Sequence, residues 1–504
     1  MSPAVDTLRN LVPSLSKSDP NKPRSKYWID DWRPEDPEFW ESGGRQVARR
    51  NLIWSIFAEH LGFSVWLIWS VSSAFLLQMG FSFTPQQLFV LVALPNLVGS
   101  LLRLPYTFAV PKFGGRNWTM ISAALLLVPT LLFAIAVQDT STPYWVFCLI
   151  AATAGFGGGN FASSMAHINF FYPAAKKGAA LGLNAAGGNA GVAVIQLLLP
   201  VIIGGAGIFG LVKASEGGLH LQTAGFVYAG LAVLAVIAAY LWMDNLTGAT
   251  SKPREQLRVV RKPHTWIMAF LYIGTFGSFI GYSAAMPLLI KLNFWVPEPA
   301  PLGTGIYFAY FAFLGAGIGS VTRPFGGWLA DKYGGARVTL GAFAGMVVFT
   351  LAVLATLMQL TPNPTADPGI ASDNQSLFPW FLVFFLFIFA STGIGNGSTY
   401  KMIPAIWRRE AETATEVGTP ERAAAITSST KQASAALGVI GAIGAMGGFL
   451  IPIAFSSPWV DNPLSATKGA FMVFTAYYVV CALVTYAVYL RRPTSVTRLA
   501  VAGV

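Results

Sequence analysis

LVALPNLVGSLLRLPYTFAV, residues 91–110, decides how this chain is read. The stretch is long and apolar enough to cross a bilayer, yet it carries Arg103. A guanidinium deep in lipid costs at least about 2.5 kcal/mol, so it persists only where it faces protein, water or a ligand. The second half repeats the arrangement, with Arg323 inside FLGAGIGSVTRPFGGWLADKYGG, 313–335. No acidic residue shares the apolar part of either span. Two buried cations without matching anions make an anion-binding site the first hypothesis.

The surroundings of the two arginines repeat as well. Arg103 is followed by Pro105 and then Phe113-Gly114-Gly115; Arg323 is followed by Pro324 and then Tyr333-Gly334-Gly335, at the same offset. Glycine clusters recur: GFGGGN at 155–160 against GIGNGS at 393–398, and Gly182, Gly188 and Gly191 against Gly438, Gly444 and Gly447. A duplicated pair of six-span halves is a transporter architecture.

Composition agrees. Of 504 residues 54% are hydrophobic and 11% charged, against about 25% charged in soluble domains, so the chain is expected in a lipid bilayer. The net charge of +11 is spread in short clusters between apolar spans. The positive-inside bias explains those clusters, and no nucleic-acid partner is expected. Cys148 and Cys481 form neither a disulfide framework nor a zinc site. The first fifty residues lack the apolar core of a signal peptide.

The fold class expected is an all-α membrane protein with twelve transmembrane helices in two six-helix halves. Apolar stretches fall near 52–78, 85–111, 118–138, 143–171, 177–205, 221–243, 264–290, 302–329, 336–359, 378–405, 423–451 and 467–490, each long enough to cross as a helix. One set of loops carries Lys112, Arg116, Lys176, Lys177, Lys252 to Lys262, Lys332, Arg337, Arg408 and Arg409; the other offers Lys213, Lys291 and Lys468. Arg49, Arg50, Arg491 and Arg492 place both termini with the basic set, so both are expected in the cytoplasm. The division is then a cytoplasmic tail 1–50 lying against the membrane face, a half 51–243, a linker 244–263, a half 264–490 and a tail 491–504.

Arg103 lies about eight residues from the cytoplasmic end of its span, roughly 12 Å deep at about 1.5 Å per residue, and Arg323 is similar. Arginine suits an oxyanion because its flat, permanently charged fork grips two oxygens at once. Gly178-xxx-Gly182 and Gly187-xxx-Gly191 are spacings that let helices touch backbone to backbone. Together with Gly438 and Gly444 they mark helices expected to cross closely and slide. Asn160 and Asn189 lie among the glycines; each either donates to an anion or bonds a neighbouring helix. Glu59 and His60, in the first span, read as packing or interfacial groups before a proton relay. His167 and Lys401 are expected to snorkel near helix ends. Asp331 and Arg337 stabilise a conformation, and Trp145, Trp380 and Trp459 fall at outer interfaces. Metal-ligand clusters, nucleophile–base sets and cofactor loops are missing from the pattern, so no metal, no cofactor and no enzymatic activity are expected.

Several motifs carry a family resemblance: GFGGGNFASSMAHINFFYP at 155–173, GLNAAGGNAG at 182–191 and GIGNGSTYKMIP at 393–404. They resemble the nitrate signatures of the nitrate/nitrite porter family, a branch of the major facilitator superfamily. GGWLADKYGGAR at 326–337, with a degenerate copy PKFGGRNW at 111–118, resembles that superfamily's loop motif. DWRPEDPEFW at 31–40, LLRLPY at 101–106 and LYIGTFGSFIGYSA at 271–284 are similar to the bacterial nitrate/nitrite antiporters. The resemblance spans about residues 30–490. It implies nitrate held between Arg103 and Arg323, with Asn189, Tyr272, Phe161 and Phe276 beside it. It also implies nitrate and nitrite as the ligands and the bacterial cytoplasmic membrane as the location; a monomer is expected. The chain departs from the pattern at His167, where asparagine is expected, and at Gly441, where serine with its side-chain hydroxyl is expected. The function expected is exchange of nitrate for nitrite, with nitrate–proton symport the alternative and phosphate-ester exchange or flux-free nitrate sensing more distant.

Overall fold

The computed structural model describes residues 27–205, 211–213, 215, 218–249, 257–294, 306–362, 368–457 and 462–491. Within them helical spans succeed one another in chain order. We number them α1 (Arg45–Trp66, continuing as Ile68–Leu76), α2 (Pro85–Phe113), α3 (Gly115–Leu125 and Leu127–Ala136), α4 (Tyr144–Phe171), α5 (Ala174–Ile202) and α6 (Gln222–Trp242). The second half holds α7 (Pro263–Tyr272, a wide π-helical turn Ile273–Gly277, then Ser278–Phe294), α8 (Ala312–Tyr333), α9 (Gly335–Met358), α10 (Phe378–Thr413), α11 (Pro420–Ala445 and Gly447–Ser456) and α12 (Pro463–Thr485). Eleven of these spans are long and apolar enough to cross a membrane. The remaining one, α8, has 22 residues and carries Arg323, Asp331 and Lys332.

Local chemistry explains where the helices start and stop. Thr84 and Gln87 form a reciprocal cap ahead of Pro85, so α2 begins there. Asn462 caps α12 and Thr419 caps α11. Gly114 ends α2 at φ 85° and ψ 146°, and Gly334 ends α8 at φ 91° and ψ 136°. Both angles lie where a Cβ is strained. The duplication seen in the sequence is therefore present in the backbone as well.

Burial sorts the helices into layers. The apolar stretches of α1 and α7 are almost wholly enclosed, whereas α3, α6, α9 and α12 keep more than half of theirs at the surface. That surface is apolar, with Leu132, Ile135, Leu234, Ile237, Val348, Leu351, Val473 and Leu483 exposed, as a face against lipid requires. Across the interface between halves, α2 lies along α11 and α5 along α8.

Several expectations change. α1 begins at Arg45, so the boundary placed at residue 50 falls inside a helix. α10 runs to Thr413 and carries Arg408 and Arg409 on its last turns, not in a loop. Lys291, assigned to a loop, lies within α7 and is 4% exposed, donating to the Ala74 carbonyl of α1. The segment from residue 27 does more than lie on a membrane face. Trp28–Ile29 pairs in parallel with Asn245–Leu246 of the linker. Trp32 donates to the Phe170 carbonyl at 3.1 Å, and the Arg116 guanidinium sits 3.6 Å over the Tyr27 ring. Acidic and aromatic side chains find basic and aromatic partners on the first half, which ties the tail to protein. Residues 1–26, Lys252, Trp459 and Arg492 lie outside the described residues.

Candidate functional site

The two arginines rise from matching places in α2 and α8 and meet over the same rings. The Arg103 guanidinium carbon lies 4.8 Å from the ring centres of both Phe161 and Phe276. That of Arg323 lies 5.6 Å from Phe161 and 5.9 Å from Phe276. The rings stack on each other at 6.2 Å, and Tyr272 stacks on Phe276 at 5.3 Å. Phe276 owes its direction to the wide turn Ile273–Gly277, one residue fuller than an α-helical turn. Such π faces attract cations, so the rings hold the guanidinium planes while N–H edges stay available.

The arginines differ in what else they touch. Arg103, 1% exposed, donates from Nε to the Gly158 carbonyl at 3.2 Å and from Nη1 to the Gly441 carbonyl at 3.1 Å. Its Nη2 is buried without a hydrogen-bond partner. Arg323, 6% exposed, makes no hydrogen bond among the described residues, and its Nη1 is likewise buried and unpartnered. Its other neighbour is the Tyr400 ring at 5.6 Å. No ion pair among the described residues includes either arginine.

Arg103, Phe161, Tyr400 and Gly441 line a cavity that continues past Thr107, Pro111, Asn169 and Ser434. Those residues lead to the ends of α2 and α4 and the start of α11. At the opposite end the halves touch. Phe89 packs on Phe455 at 5.7 Å and Phe75 on Phe308 at 5.0 Å. Gln196 donates to the Ser283 carbonyl at 2.6 Å. Among the described residues the chamber thus opens past Thr107, Pro111, Asn169 and Ser434, and the halves meet at its other end.

Of the residues singled out in the sequence, Arg103, Arg323, Phe161, Phe276 and Tyr272 come together. Tyr272 donates its hydroxyl to Asn396 Oδ1 at 3.0 Å. Asn189 and Asn160 are buried, and neither amide has a hydrogen-bond partner, so the bond to a neighbouring helix is absent among the described residues. Asn160 packs on α1, where a methyl at Gly62 would stand 2.7 Å from its Nδ2.

The glycines divide. A methyl at Gly191 would stand 2.3 Å from the His60 carbonyl oxygen, a true backbone contact. One at Gly187 would meet Ile56 at 2.4 Å, and one at Gly444 would meet the Tyr272 ring at 2.4 Å. Gly438 faces Thr107 more loosely, at 3.2 Å. Gly178 and Gly182 meet nothing within 4 Å, so the spacing that marked them as a contact does not make one here. His167 does not snorkel: it is buried against Gly115 and the Phe171 ring. Lys401 lies within α10 and pairs with Asp331 at 2.8 Å.

Other participants were not singled out. Tyr400 and Asn396 lie in GIGNGSTYKMIP, so that motif held the signal for them. The Gly158 and Gly441 carbonyls carried none, because every residue has a carbonyl. Gly441 has no side-chain hydroxyl to offer, and its backbone oxygen accepts from Arg103 Nη1. Glu59, read as a packing group, is enclosed beside the chamber, accepting from Asn184 Nδ2 at 2.6 Å and from the Ser164 hydroxyl.

Comparison with known proteins adds three findings. The family model for the Major Facilitator Superfamily matches residues 56–417. Over 480 residues, 94% of this chain and 99% of the other, the sequence is 40% identical to the nitrate/nitrite transporter NarU of Escherichia coli strain K12. It is 38% identical to the probable nitrate/nitrite antiporter NarK2 of Thermus thermophilus, covering 75% of this chain and 83% of that one. Among solved structures, a bacterial homolog of the human lysosomal transporter Spinster, inward-facing, aligns with a TM-score of 0.58 at 14% identity, over 88% of this chain and 96% of that one. A D-xylose–proton symporter aligns at 0.55 and 15% identity, over 86% and 96%. At such identities the structural likeness concerns the fold.

Proposed function

The chain belongs to the Major Facilitator Superfamily and, within it, to the nitrate/nitrite transporters, and from that premise we propose that it exchanges nitrate for nitrite across the bacterial cytoplasmic membrane by alternating access. The observation that carries the reading is the pair of buried guanidinium groups over two shared rings, each with an unpartnered N–H and no ion pair among the described residues. A planar monovalent oxyanion supplies what both forks lack. Charge-assisted N–H···O bonds in a dry chamber are roughly twice as strong as neutral ones. Asn189, Tyr272 and Asn160 are assigned supporting places around the anion. Gly182, Gly187, Gly191, Gly438 and Gly444 are assigned to the helices that move, although Gly182 touches nothing in this state.

Both guanidinium carbons lie near the Phe161 ring centre, so they are no more than about 10 Å apart. Like charges at that separation repel by roughly 2 kcal/mol in an effective dielectric of about 20. One bound anion screens that repulsion and lets the halves close; nitrate and nitrite carry the same charge and serve equally. The cavity opens toward the face bearing Lys112, Lys332 and Arg337, which the positive-inside rule makes cytoplasmic, so this state is inward-facing with both termini inside. The carrier acts as a monomer, needs no cofactor, and divides into two halves, the first from Arg45 to residue 243 and the second 264–490, with the linker 244–263.

Counterflow tests the reading. Vesicles holding the purified protein are loaded with labelled nitrate and diluted into nitrite, nitrate or neither. Efflux is expected to be faster with an anion outside; equal efflux into anion-free buffer defeats exchange. A second reading, nitrate–proton symport, is favoured by Glu59, buried beside the chamber with no ion pair among the described residues. A pH gradient across vesicles without internal nitrite separates the two.

A further inference from the structure

Glu59 has no role in anion exchange as described, and its surroundings are unusual for a structural carboxylate. It is 1% exposed in the middle of α1, and no cation forms an ion pair with it among the described residues. Its Oε2 accepts from Asn184 and Ser164, while its Oε1 is buried without a partner against Gly188, where a methyl would stand 2.3 Å away. An ionised carboxylate enclosed with two neutral donors is costly, and a protonated one is not.

The cluster suits either charge state. Asn184 Oδ1 is also unpartnered, and the two ends of an amide have the same shape. Half a turn of that amide offers Glu59 an acceptor in place of a donor. Ser164, whose hydroxyl also meets that of Ser55 at 3.0 Å, can reverse its bond in the same way. The path to water is short. Asn184 Nδ2 lies 3.6 Å from Met165 Sδ, and Met165 lines the cavity that reaches Arg103.

The charges that reach Glu59 are Arg323 from α8 and Arg103 from α2, with Tyr400 of α10 in the same field. His60, beside it on α1, turns its Nδ1 to the Gly187 carbonyl at 3.1 Å. His167 of α4 is occupied with Gly115 and Phe171, α5 contributes the amide Asn184, and Asp244 beyond α6 pairs with Arg50.

We infer that Glu59, with Ser164 and Asn184, is a proton-binding site that decides whether the carrier crosses without an anion. The inference rests on the anion reading of Arg103 and Arg323. With Glu59 protonated, an anion-free chamber holds two positive charges; with Glu59 ionised, it holds one. The anion-loaded chamber with Glu59 protonated also holds one. Passage at a single net charge therefore permits two crossings: loaded with anion and proton, or empty with neither. Exchange of nitrate for nitrite leaves the proton in place. Net uptake carries one proton with each nitrate, and Glu59 releases it to the cytoplasmic cavity before the empty return. The same site thus serves exchange and symport, and the proton selects between them.

The test uses the full-length protein in vesicles containing a trapped pH indicator, with the membrane potential clamped. Nitrate is added outside vesicles that contain no nitrate or nitrite. Wild type is expected to acidify the interior as nitrate enters, and an acid exterior is expected to raise net uptake severalfold. Glu59→Gln is expected to lose proton entry and proton-driven net uptake at least tenfold while nitrate–nitrite counterflow persists. Absence of counterflow in wild type would strike the anion reading itself. Counterflow without proton entry in wild type, or proton entry intact in Glu59→Gln, overturns the Glu59 assignment and leaves exchange standing. Should Glu59→Gln fail to fold, calorimetry of nitrate binding to wild type in buffers of different protonation heat decides. A heat that depends on the buffer supports proton uptake with the anion; a heat independent of the buffer at every pH tested overturns it.

Discussion

Arg103 and Arg323 stand at repeat-related positions, and the two halves treat them differently. Arg103 is braced by two backbone carbonyls, Gly158 in its own half and Gly441 in the other. Among the described residues Arg323 is held by rings alone. Around the shared chamber the first half places the carboxylate cluster of Glu59, and the second half places the neutral pair Tyr272 and Asn396. Duplication preserved where the charges sit and left their support free to diverge. One fork is set in advance and bridges the halves; the other can adjust to whatever oxygen arrives.

That contrast can be broken most directly at the arginines. Arg103→Lys removes the flat fork together with both carbonyl bonds, and is expected to weaken nitrate exchange by about 2–5 kcal/mol, from tens to thousands of fold. Arg323→Lys removes the fork alone and is expected to cost less, about 1.5–3 kcal/mol. Initial counterflow rates at saturating and limiting nitrate measure both; an equal or larger loss at Arg323 would end the distinction.

Gly158→Ala attacks the brace without touching a charge. Its methyl would stand 2.7 Å from the Trp66 ring and 2.8 Å from the Gly99 Cα. Overpacking of this kind costs about 1–3 kcal/mol, read as a lower melting temperature in detergent, with exchange falling as the carbonyl shifts. Unchanged stability and transport would show that the brace is dispensable. Tyr272→Phe probes the other half. It strands Asn396 Oδ1 and is expected to cost about 1–2 kcal/mol, seen as roughly tenfold weaker nitrate binding by calorimetry.

Gly441→Ser sharpens the contrast with the smallest effect. A Cβ there would meet only Arg103 Nη1, at 3.9 Å, so there is room for the hydroxyl. About 0.5 kcal/mol tighter binding, roughly twofold, is expected from one partly compensated hydrogen bond. Weaker binding would mean that the backbone carbonyl and the hydroxyl compete for the same N–H.

The legible parts of this chain were those written in local pattern. Helix starts at Pro85, Tyr144, Ala174, Gln222, Pro263, Gly335 and Phe378 fall within a few residues of the apolar stretches. Hydropathy over about 20 residues is a property of the segment alone. Phe161, Phe276 and Tyr272 came through a motif resemblance, and the structure brings them to the arginines. Less legible were features that depend on a distant partner. Gly178 and Gly182 share the spacing of Gly187 and Gly191, yet only the second pair meets another helix. Lys291 looked like a loop cation and proved to be an enclosed donor to α1.

The sequence by itself determined the membrane class, the span order, the duplication and the two intramembrane arginines, because hydropathy, charge and residue spacing are properties of the linear chain. Only the tertiary structure decided which N–H groups those arginines keep free, that carbonyls from Gly158 and Gly441 hold one of them, and that Glu59 lies enclosed with Ser164 and Asn184. Each of those contacts joins residues on different helices, mostly more than fifty positions apart. A backbone oxygen has no side-chain identity to read, and a buried carboxylate reveals its charge state only through the neighbours that packing supplies.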